Sequence, residues 1–277
     1  MAESESRLSI TRSIKETLDI AAWSKLVPRL VGDAAGWLTR RRWFGDKARE
    51  IRSVIAISHI TTAVGGNYFA LVIAEVRFSS NAPVNYFMPL AATLTQSDLY
   101  DQLAGITAPN GTWKVVDAFD LPAFRDWFLD LLDTSARLSG PGGEIFWRAG
   151  PDLAQYLPAA RVVGSRVSTA EQSNTSILFG DALILKLFRK PVVGINPDVE
   201  IGHFLTAQTG YRNVPLLLGE IQFILDRAPA QSRLLGMAQS FVQSFGDGWS
   251  YTLRELETWT HESGSDDALI AAVRFLG

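Results

Sequence analysis

Lys186 is the residue whose surroundings in the sequence most clearly predict chemistry. It lies within the apolar run 183–188, which follows a Gly-Asp dipeptide and another short apolar run, a pattern typical of a β-hairpin. Alternate side chains of a strand share a face, so the lysine is predicted to lie beside Ile184 and Phe188. An ammonium group among apolar neighbours loses hydration and needs an anion close to it.

Glu200 is the candidate for that anion. Asn196, Pro197 and Asp198 form a strong helix start, with Asn as N-cap, Pro at the first helical position and Asp in the first turn. Glu200 stands four residues before Phe204 and is therefore predicted on the inward face of the helix. Kinases hold ATP phosphates with a strand lysine that a helix glutamate keeps in place.

Each of these two residues also has an ordinary interpretation. A lone strand lysine can extend its ammonium group to water from the edge of a sheet. Glu200 can simply favour the positive end of the helix dipole. From these two residues alone, both interpretations stay open.

A polar run leads into the first strand of the hairpin, and it consists of Ser173, Asn174, Thr175 and Ser176. Such a loop could direct hydroxyl, amide and backbone N–H groups at phosphate oxygens. The alternative is an ordinary polar turn between two strands. The glycine cluster at 139–143 is predicted to be a plain loop, because no Gly-Lys-Ser/Thr ending and no helix-forming run follows it.

The composition excludes several other classes of protein. The 277 residues are enough for about two domains, and 47% hydrophobic with 20% charged residues predict a globular chain. A net charge of −3 argues against a general nucleic-acid partner. The absence of cysteine excludes disulfides, cysteine-based zinc sites and thiol nucleophiles. The N-terminus lacks a signal-peptide pattern and no run approaches 18 apolar residues, so we expect a cytoplasmic protein with no membrane partner.

Hydrophobic periodicity predicts an α+β fold. A cap domain is expected over residues 1–115, with these elements: a helical segment at about 10–44, then antiparallel strands at 51–60, 66–78 and 84–95. A second domain, 116–245, is expected to be an antiparallel sheet with one inserted helix. Its predicted elements are a helix at 121–134, strands at 160–167, 176–180 and 182–189, a helix from 197 to about 208, and strands at 216–225 and 233–242. Residues 246–277 would begin a third region.

Four segments of the chain resemble the bacterial maltokinase family, whose members often occur beside, or fused to, trehalose synthase. They are EQSNTSILFGDALILKLFR at 171–189, GINPDVE at 194–200, WLTRRRWFGDK at 37–47 and FVQSFGDGWSY at 241–251. The last two look like the family's N-terminal cap signature and its inter-lobe connection. The resemblance covers essentially the whole chain.

The resemblance implies an ATP- and Mg²⁺-dependent kinase that phosphorylates maltose at its anomeric hydroxyl. The product, maltose 1-phosphate, would feed α-glucan (glycogen-type) synthesis from trehalose. It also implies a lobe like the N-lobe of aminoglycoside phosphotransferases and protein kinases, preceded by a cystatin-like cap.

Carried over by position, the run Ser173 to Ser176 would form the phosphate-binding loop. Lys186 would contact the phosphates, and Glu200 would pair with it. Ser240, Phe241 and Val242 would form the hinge whose backbone meets adenine.

The base and the metal ligands of such a kinase are not recognisable in this sequence. The family's His-Gly-Asp-type catalytic loop and its later acidic metal motif have no counterpart in the residues after Val242. We therefore assign no catalytic or metal-binding residue and expect the catalytic C-lobe, with its Mg²⁺ ligands, to be essentially absent. The chain would then be the N-terminal half of a longer kinase, inactive by itself. Its apolar C-terminal helix, 268–277, would favour self-association.

Two alternative functions stay open. Another sugar or aminosugar kinase, such as a glucosamine kinase, would share the cap and differ in the acceptor site. A non-catalytic module that assembles with trehalose synthase belongs to a different class. In the cap itself, Arg40, Arg41 and Arg42 are predicted to be a solvated helix end, with contacts to the neighbouring lobe as the alternative. Trp43 and Phe44 are predicted to be core residues.

Overall fold

The computed structural model describes residues 10–80, 82–95, 100–168, 173–194, 196–209, 211, 213–243, 248–261 and 270. Residues 1–241 form one compact unit and residues 242–277 form a second. Both helices and antiparallel strands are present, so the predicted α+β class is confirmed.

The first sheet has seven strands. They are β1 (Ile10–Ser13), β2 (Ile51–Val64), β3 (Asn67–Phe78), β4 (Val84–Phe87), β5 (Leu90–Thr93), β6 (Ala104–Ala108) and β7 (Gly111–Asp117). The order across the sheet is β1-β6-β7-β5-β3-β2, and β4 pairs with β3 outside this path. Only the pairing of β1 with β6 is parallel. The sheet ends at Asp117, which starts a short 3₁₀ turn, Ala118–Asp120.

Helices α1 (Ile20–Gly32) and α2 (Ala35–Arg40) cover one face of this sheet. Asp19 caps α1, because its carboxylate accepts a hydrogen bond from the N–H of Ala22. The apolar stripe of α1 includes Trp23, Val27 and Leu30, which pack on the sheet. This face is the core of the cap.

Helix α3 (Pro122–Asp133) connects the first sheet to a second sheet of seven strands. Its strands are β8 (Arg137–Gly140), β9 (Gly143–Ala149), β10 (Ser165–Val167), β11 (Thr175–Phe179), β12 (Leu183–Leu187), β13 (Leu217–Leu225) and β14 (Ala228–Ser240). The order is β10-β11-β12-β14-β13-β9-β8, with antiparallel pairing throughout. Helix α4 (Leu153–Val162) precedes β10, and α5 (Pro197–His203) follows β12 and continues as one π-helical turn, Phe204–Gln208.

A single hydrophobic core joins the two sheets. It contains residues from the second face of the first sheet, from α3 and from the inner face of the second sheet, such as Phe69, Phe128 and Leu185. Within it, Phe119 packs edge to face on both Phe124 and Phe128. The cap therefore has a core of its own on one face of its sheet and shares a second core with the second sheet.

Several predicted elements were wrong in detail. Residues 10–13 form a strand and not the start of a helix, since β1 pairs with the remote strand β6. The predicted strand at 160–167 begins as the end of α4, a helix that contains Pro158. The glycine cluster at 139–143, predicted to be a loop, includes the ends of β8 and β9 and the tight turn between them. Strands β6 to β9 and helix α4 had not been predicted at all.

The described helix of the second unit is α6 (Gly248–His261), with Trp249, Tyr251 and Leu253 exposed. The predicted C-terminal helix at 268–277 lies outside the described residues except for Ile270. Within the described ranges, no helix has the length and apolar character needed to cross a membrane. The cystatin-like form of the cap, the absent C-lobe and the domain limits at 115 and 245 stay predictions.

Candidate functional site

Lys186 lies on the outer face of the second sheet, as the strand period predicts. The alternate residues Leu183, Leu185 and Leu187 point into the shared core and are buried. Lys186 lies with Ile184 and Phe188 on the opposite face, and its side chain is 25% exposed. The lysine is thus half-buried beside apolar groups, with its ammonium group still in reach of solvent.

Asp198, and not Glu200, is the carboxylate that pairs with Lys186. The distance from Lys186 Nζ to Asp198 Oδ2 is 3.3 Å, and Asp198 is 51% exposed. The side chain of Asn196 caps α5 by accepting from the Asp198 N–H at 2.9 Å, which fixes the first turn. Two residues along an α-helix turn a side chain through about 200°, so Glu200 cannot share the direction of Asp198.

Glu200 instead lines a cavity of about 790 Å³ that α5 forms with β9 and β13. Other residues of its wall are His203, Phe204 and the ion pair of Arg148 with Glu220, whose atoms are 2.7 Å apart. Lys186 is not among the lining residues. This cavity and the candidate phosphate lysine therefore occupy different places.

The polar run 173–176 divides into two parts. Ser173 is exposed and Asn174 half-buried, and both precede β11. Ser176 is the cross-strand partner of Lys186 and lies on the same face. Thr175 faces the opposite side, where its hydroxyl accepts a hydrogen bond of 2.8 Å from Arg189 Nε. The Thr175 side chain thus points away from Lys186, and the phosphate-binding role predicted for the run 173–176 stays a prediction.

Two backbone N–H groups of the predicted hinge already donate hydrogen bonds within the protein. The N–H groups of Ser240 and Phe241 donate to the carbonyls of Leu216 and Ala182, each at 2.9 Å. The Ser240 hydroxyl also accepts from the Leu216 N–H. Any adenine contact by Ser240 or Phe241 would therefore use a carbonyl group. Val242 is 56% exposed.

Arg189 and Asp117 form a buried ion pair that sequence reasoning missed. Arg189 Nη2 lies 2.8 Å from Asp117 Oδ2, and both side chains are only 1% exposed. The Trp43 indole N–H also donates to Asp117 Oδ2, at 3.0 Å. Burial alone would raise the pKa of Asp117, but the charges of Arg189 and Arg41 outweigh it and hold that pKa below its ordinary value.

Arg41 contributes to the same cluster from α2's C-terminal end. Its guanidinium lies 3.5 to 3.6 Å from the carboxylates of Asp101, Asp117 and Asp120, and it stacks on Trp37. Burial, followed by the negative charge of Asp117, raises the pKa of Asp120 to about 6. The predicted solvated helix end was thus wrong for Arg41, while the burial of Trp43 and Phe44 is confirmed.

One signal could have pointed to this cluster. Arg189 directly follows the apolar run that holds Lys186, and Asp117 stands between Val116 and Ala118. Both charges thus sit in apolar surroundings. Nothing in the local sequence, however, indicates that these two residues meet. Among the residues that the structure describes, no group of three histidine or acidic side chains is placed to hold a metal ion.

Comparisons with known proteins give two results. Residues 37–120 match the family model of the maltokinase N-terminal cap domain. Similar solved structures include a glucosamine kinase in complex with glucosamine, ADP and inorganic phosphate, at 15% identity and a TM-score of 0.46, covering 90% of this chain and 49% of that one. A second crystal form of glucosamine kinase gives 15% identity and a TM-score of 0.49, covering 87% and 46%. The chain thus spans about half the length of these structures.

The family match falls on the described elements α2 and β2 to β7 together with the 3₁₀ turn after Asp117. It therefore includes Trp43 and Asp117, two residues that contact Arg189. The predicted resemblance to maltokinases is confirmed by this match, and residues 37–120 of the chain are similar to the N-terminal cap domain of that family.

Proposed function

We propose that this chain supplies the cap and the nucleotide-binding lobe of an ATP-dependent sugar kinase of the maltokinase type. The observation that carries the proposal is the ion pair of Lys186 with Asp198 on the outer face of the second sheet. The match of the cap to the maltokinase cap model supports it. Maltose as the acceptor, Mg²⁺ as the metal and a C-lobe that supplies the base are part of the proposal.

The geometry around Lys186 suits a phosphate-binding role. The lysine lies opposite Ser176 on the neighbouring strand, and Ser173 and Asn174 precede that strand. An ion pair of 3.3 Å with a half-exposed carboxylate is loose, because water screens most of its attraction. A triphosphate carries more negative charge than one aspartate and can compete for the ammonium group. Asp198 would then hold the lysine in place, the role that Glu200 was predicted to have.

Equilibrium binding of MgATP by isothermal titration tests the proposal directly. The wild-type chain is expected to bind, and Lys186→Met is expected to weaken binding by at least about tenfold, since a hydrogen-bonded charge contact is lost. Lys190→Met is the matched control. Lys190 lies four residues after Lys186 and pairs with Asp46 of the cap, at 3.0 Å, and not with Asp198. The proposal is wrong if the wild-type chain binds no ATP or if both variants bind as the wild type does.

A non-catalytic partner module is a second candidate function. Helix α5 has no buried residue; its Ile201 is 55% exposed, and Phe204, in the π-helical turn that follows, is 52% exposed. Exposed apolar groups on one helix favour a protein contact. This candidate predicts that Ile201→Ser weakens assembly with a partner such as trehalose synthase while Lys186→Met leaves that affinity unchanged.

A further inference from the structure

The buried guanidinium group of Arg189 links the cap to the β11–β12 hairpin. Arg189 Nη2 donates to Asp117, the last residue of the first sheet, and the Arg189 guanidinium stacks on Trp43 at 4.5 Å and on Phe119 at 5.1 Å. The Arg189 carbonyl accepts from the Phe87 N–H at 2.8 Å. Cap residues and the adjoining 3₁₀ turn thus fix this arginine at both its backbone and its side chain.

The same guanidinium holds the start of β11. Arg189 Nε donates to the hydroxyl of Thr175, the first residue of that strand, at 2.8 Å. A guanidinium is planar and rigid, so fixing its Nη2 on Asp117 also fixes the direction in which Nε points. Both bonds are buried, where charge-assisted hydrogen bonds are strongest.

We infer that Arg189 is a positioning residue through which the cap sets the phosphate-binding run 173–176 relative to Lys186. Thr175 is the point of contact: its side chain faces the cap cluster, while its neighbour Ser176 is the cross-strand partner of Lys186. This inference deepens the proposed function and rests on it. It gives Thr175 a role different from the phosphate contact that the sequence predicted.

The arrangement of β12 supports the inference. Lys186 and Arg189 are three residues apart at the end of one strand, so a single short segment carries the proposed phosphate contact and the bond to the cap. Thr175 pairs with Leu187, at the end of the β11–β12 ladder. The Arg189 bond to the Thr175 hydroxyl adds a side-chain link at this end of the ladder.

Two variants and two ligands test the inference. Thr175→Val removes the hydroxyl and keeps the shape, and Arg189→Lys keeps a charge for Asp117 but removes the Nε donor. Each is expected to weaken MgATP binding by about tenfold, with adenosine affinity unchanged, because only the phosphate contacts are misplaced. Thr175→Ser keeps the hydroxyl and should restore wild-type affinity. Thermal melts ensure that affinities are compared between folded proteins.

The outcomes are separable. If Thr175→Val weakens ATP binding while Arg189→Lys does not, Thr175 contacts phosphate itself and the inference is wrong. If ATP and adenosine binding fall equally, the role of the pair is only structural and the inference is also wrong. If Lys186→Met abolishes binding but both variants bind normally, this inference fails and the proposed function stands. If the wild-type chain binds no ATP, the proposed function fails.

Discussion

The two cations near the end of β12 have opposite surroundings. Lys186 is 25% exposed and pairs loosely with an aspartate of the following helix, whereas Arg189 is completely enclosed and pairs with an aspartate of the cap. The apolar run around Lys186 predicted that the lysine would be the desolvated cation. In the structure Arg189 has that position, and the lysine keeps access to solvent.

The difference matters because a buried ion pair and a half-exposed ion pair have different roles. A buried pair is costly to break, since its remaining partner keeps its charge without solvent. A half-exposed pair contributes little to folding, and its partners can be exchanged for a ligand. The arginine pair is therefore suited to hold two sheets together, and the lysine pair is suited to bind an incoming phosphate.

The largest effect is expected from breaking the buried pair. Arg189→Met should lower the free energy of unfolding by about 3–5 kcal/mol, because it leaves Asp117 buried without its main countercharge. Lys186→Met should change it by about 1 kcal/mol or less. Urea unfolding followed by tryptophan fluorescence measures both. Equal losses for the two variants would contradict the contrast between the two pairs.

An intermediate effect is expected from the pH dependence of the buried cluster. The pKa of Asp120 is raised to about 6 by burial and by Asp117, so the folded state favours its protonated form. The stability from this group is complete below about pH 4 and is lost as the pH rises through about 6. Asp120→Asn should therefore stabilise the protein above pH 6, by on the order of 1–3 kcal/mol. It should also reduce the fall in the free energy of unfolding between pH 4 and 7.

Thermal or urea unfolding at several pH values measures this effect. The matched control is Asp181→Asn, since Asp181 is exposed in the hairpin turn of the second sheet. A stabilisation of Asp120→Asn at pH 4 as large as that at pH 8 would show that the effect is not due to its charge.

The smallest effect is expected at the exposed pair. Asp198→Asn should lower the free energy of unfolding by roughly 0.2–1 kcal/mol at low salt and by less at high salt, because ions screen this half-exposed pair. Glu200→Gln should have no salt-dependent effect, as Glu200 lies on the cavity wall. A larger salt-dependent loss of stability for Glu200→Gln than for Asp198→Asn would indicate that Glu200 pairs with Lys186, as the sequence predicted.

Local patterns predicted much of the second sheet. The strand period placed Lys186 with Ile184 and Phe188, and the sequence Asn196-Pro197-Asp198 located the start of α5. Predictions failed where contacts with distant parts of the chain determine the local structure. Residues 10–13 form a strand only because β6 is beside them, and Pro158 lies inside a helix that packs on the shared core.

The candidate site shows the same division. The sequence predicted that a lysine on this strand would face an acid from the next helix, but it selected Glu200, whereas the structure pairs the lysine with Asp198. It also assigned Thr175 to a phosphate, whereas its hydroxyl binds a cap-linked arginine. The choice depended on where the helix axis and the two sheets lie, which is a property of packing.

By itself the sequence determined the strand that carries Lys186, the helix start at Asn196, and the likeness to maltokinases that the cap comparison supports. Helix caps and the spacing of apolar residues depend on residues a few positions apart, so the local sequence is enough to predict these features. Only the tertiary structure decided which cation is buried and which acid it meets. Asp117 and Arg189 are 72 residues apart, and they become partners because two sheets close over one core and exclude water from both charges.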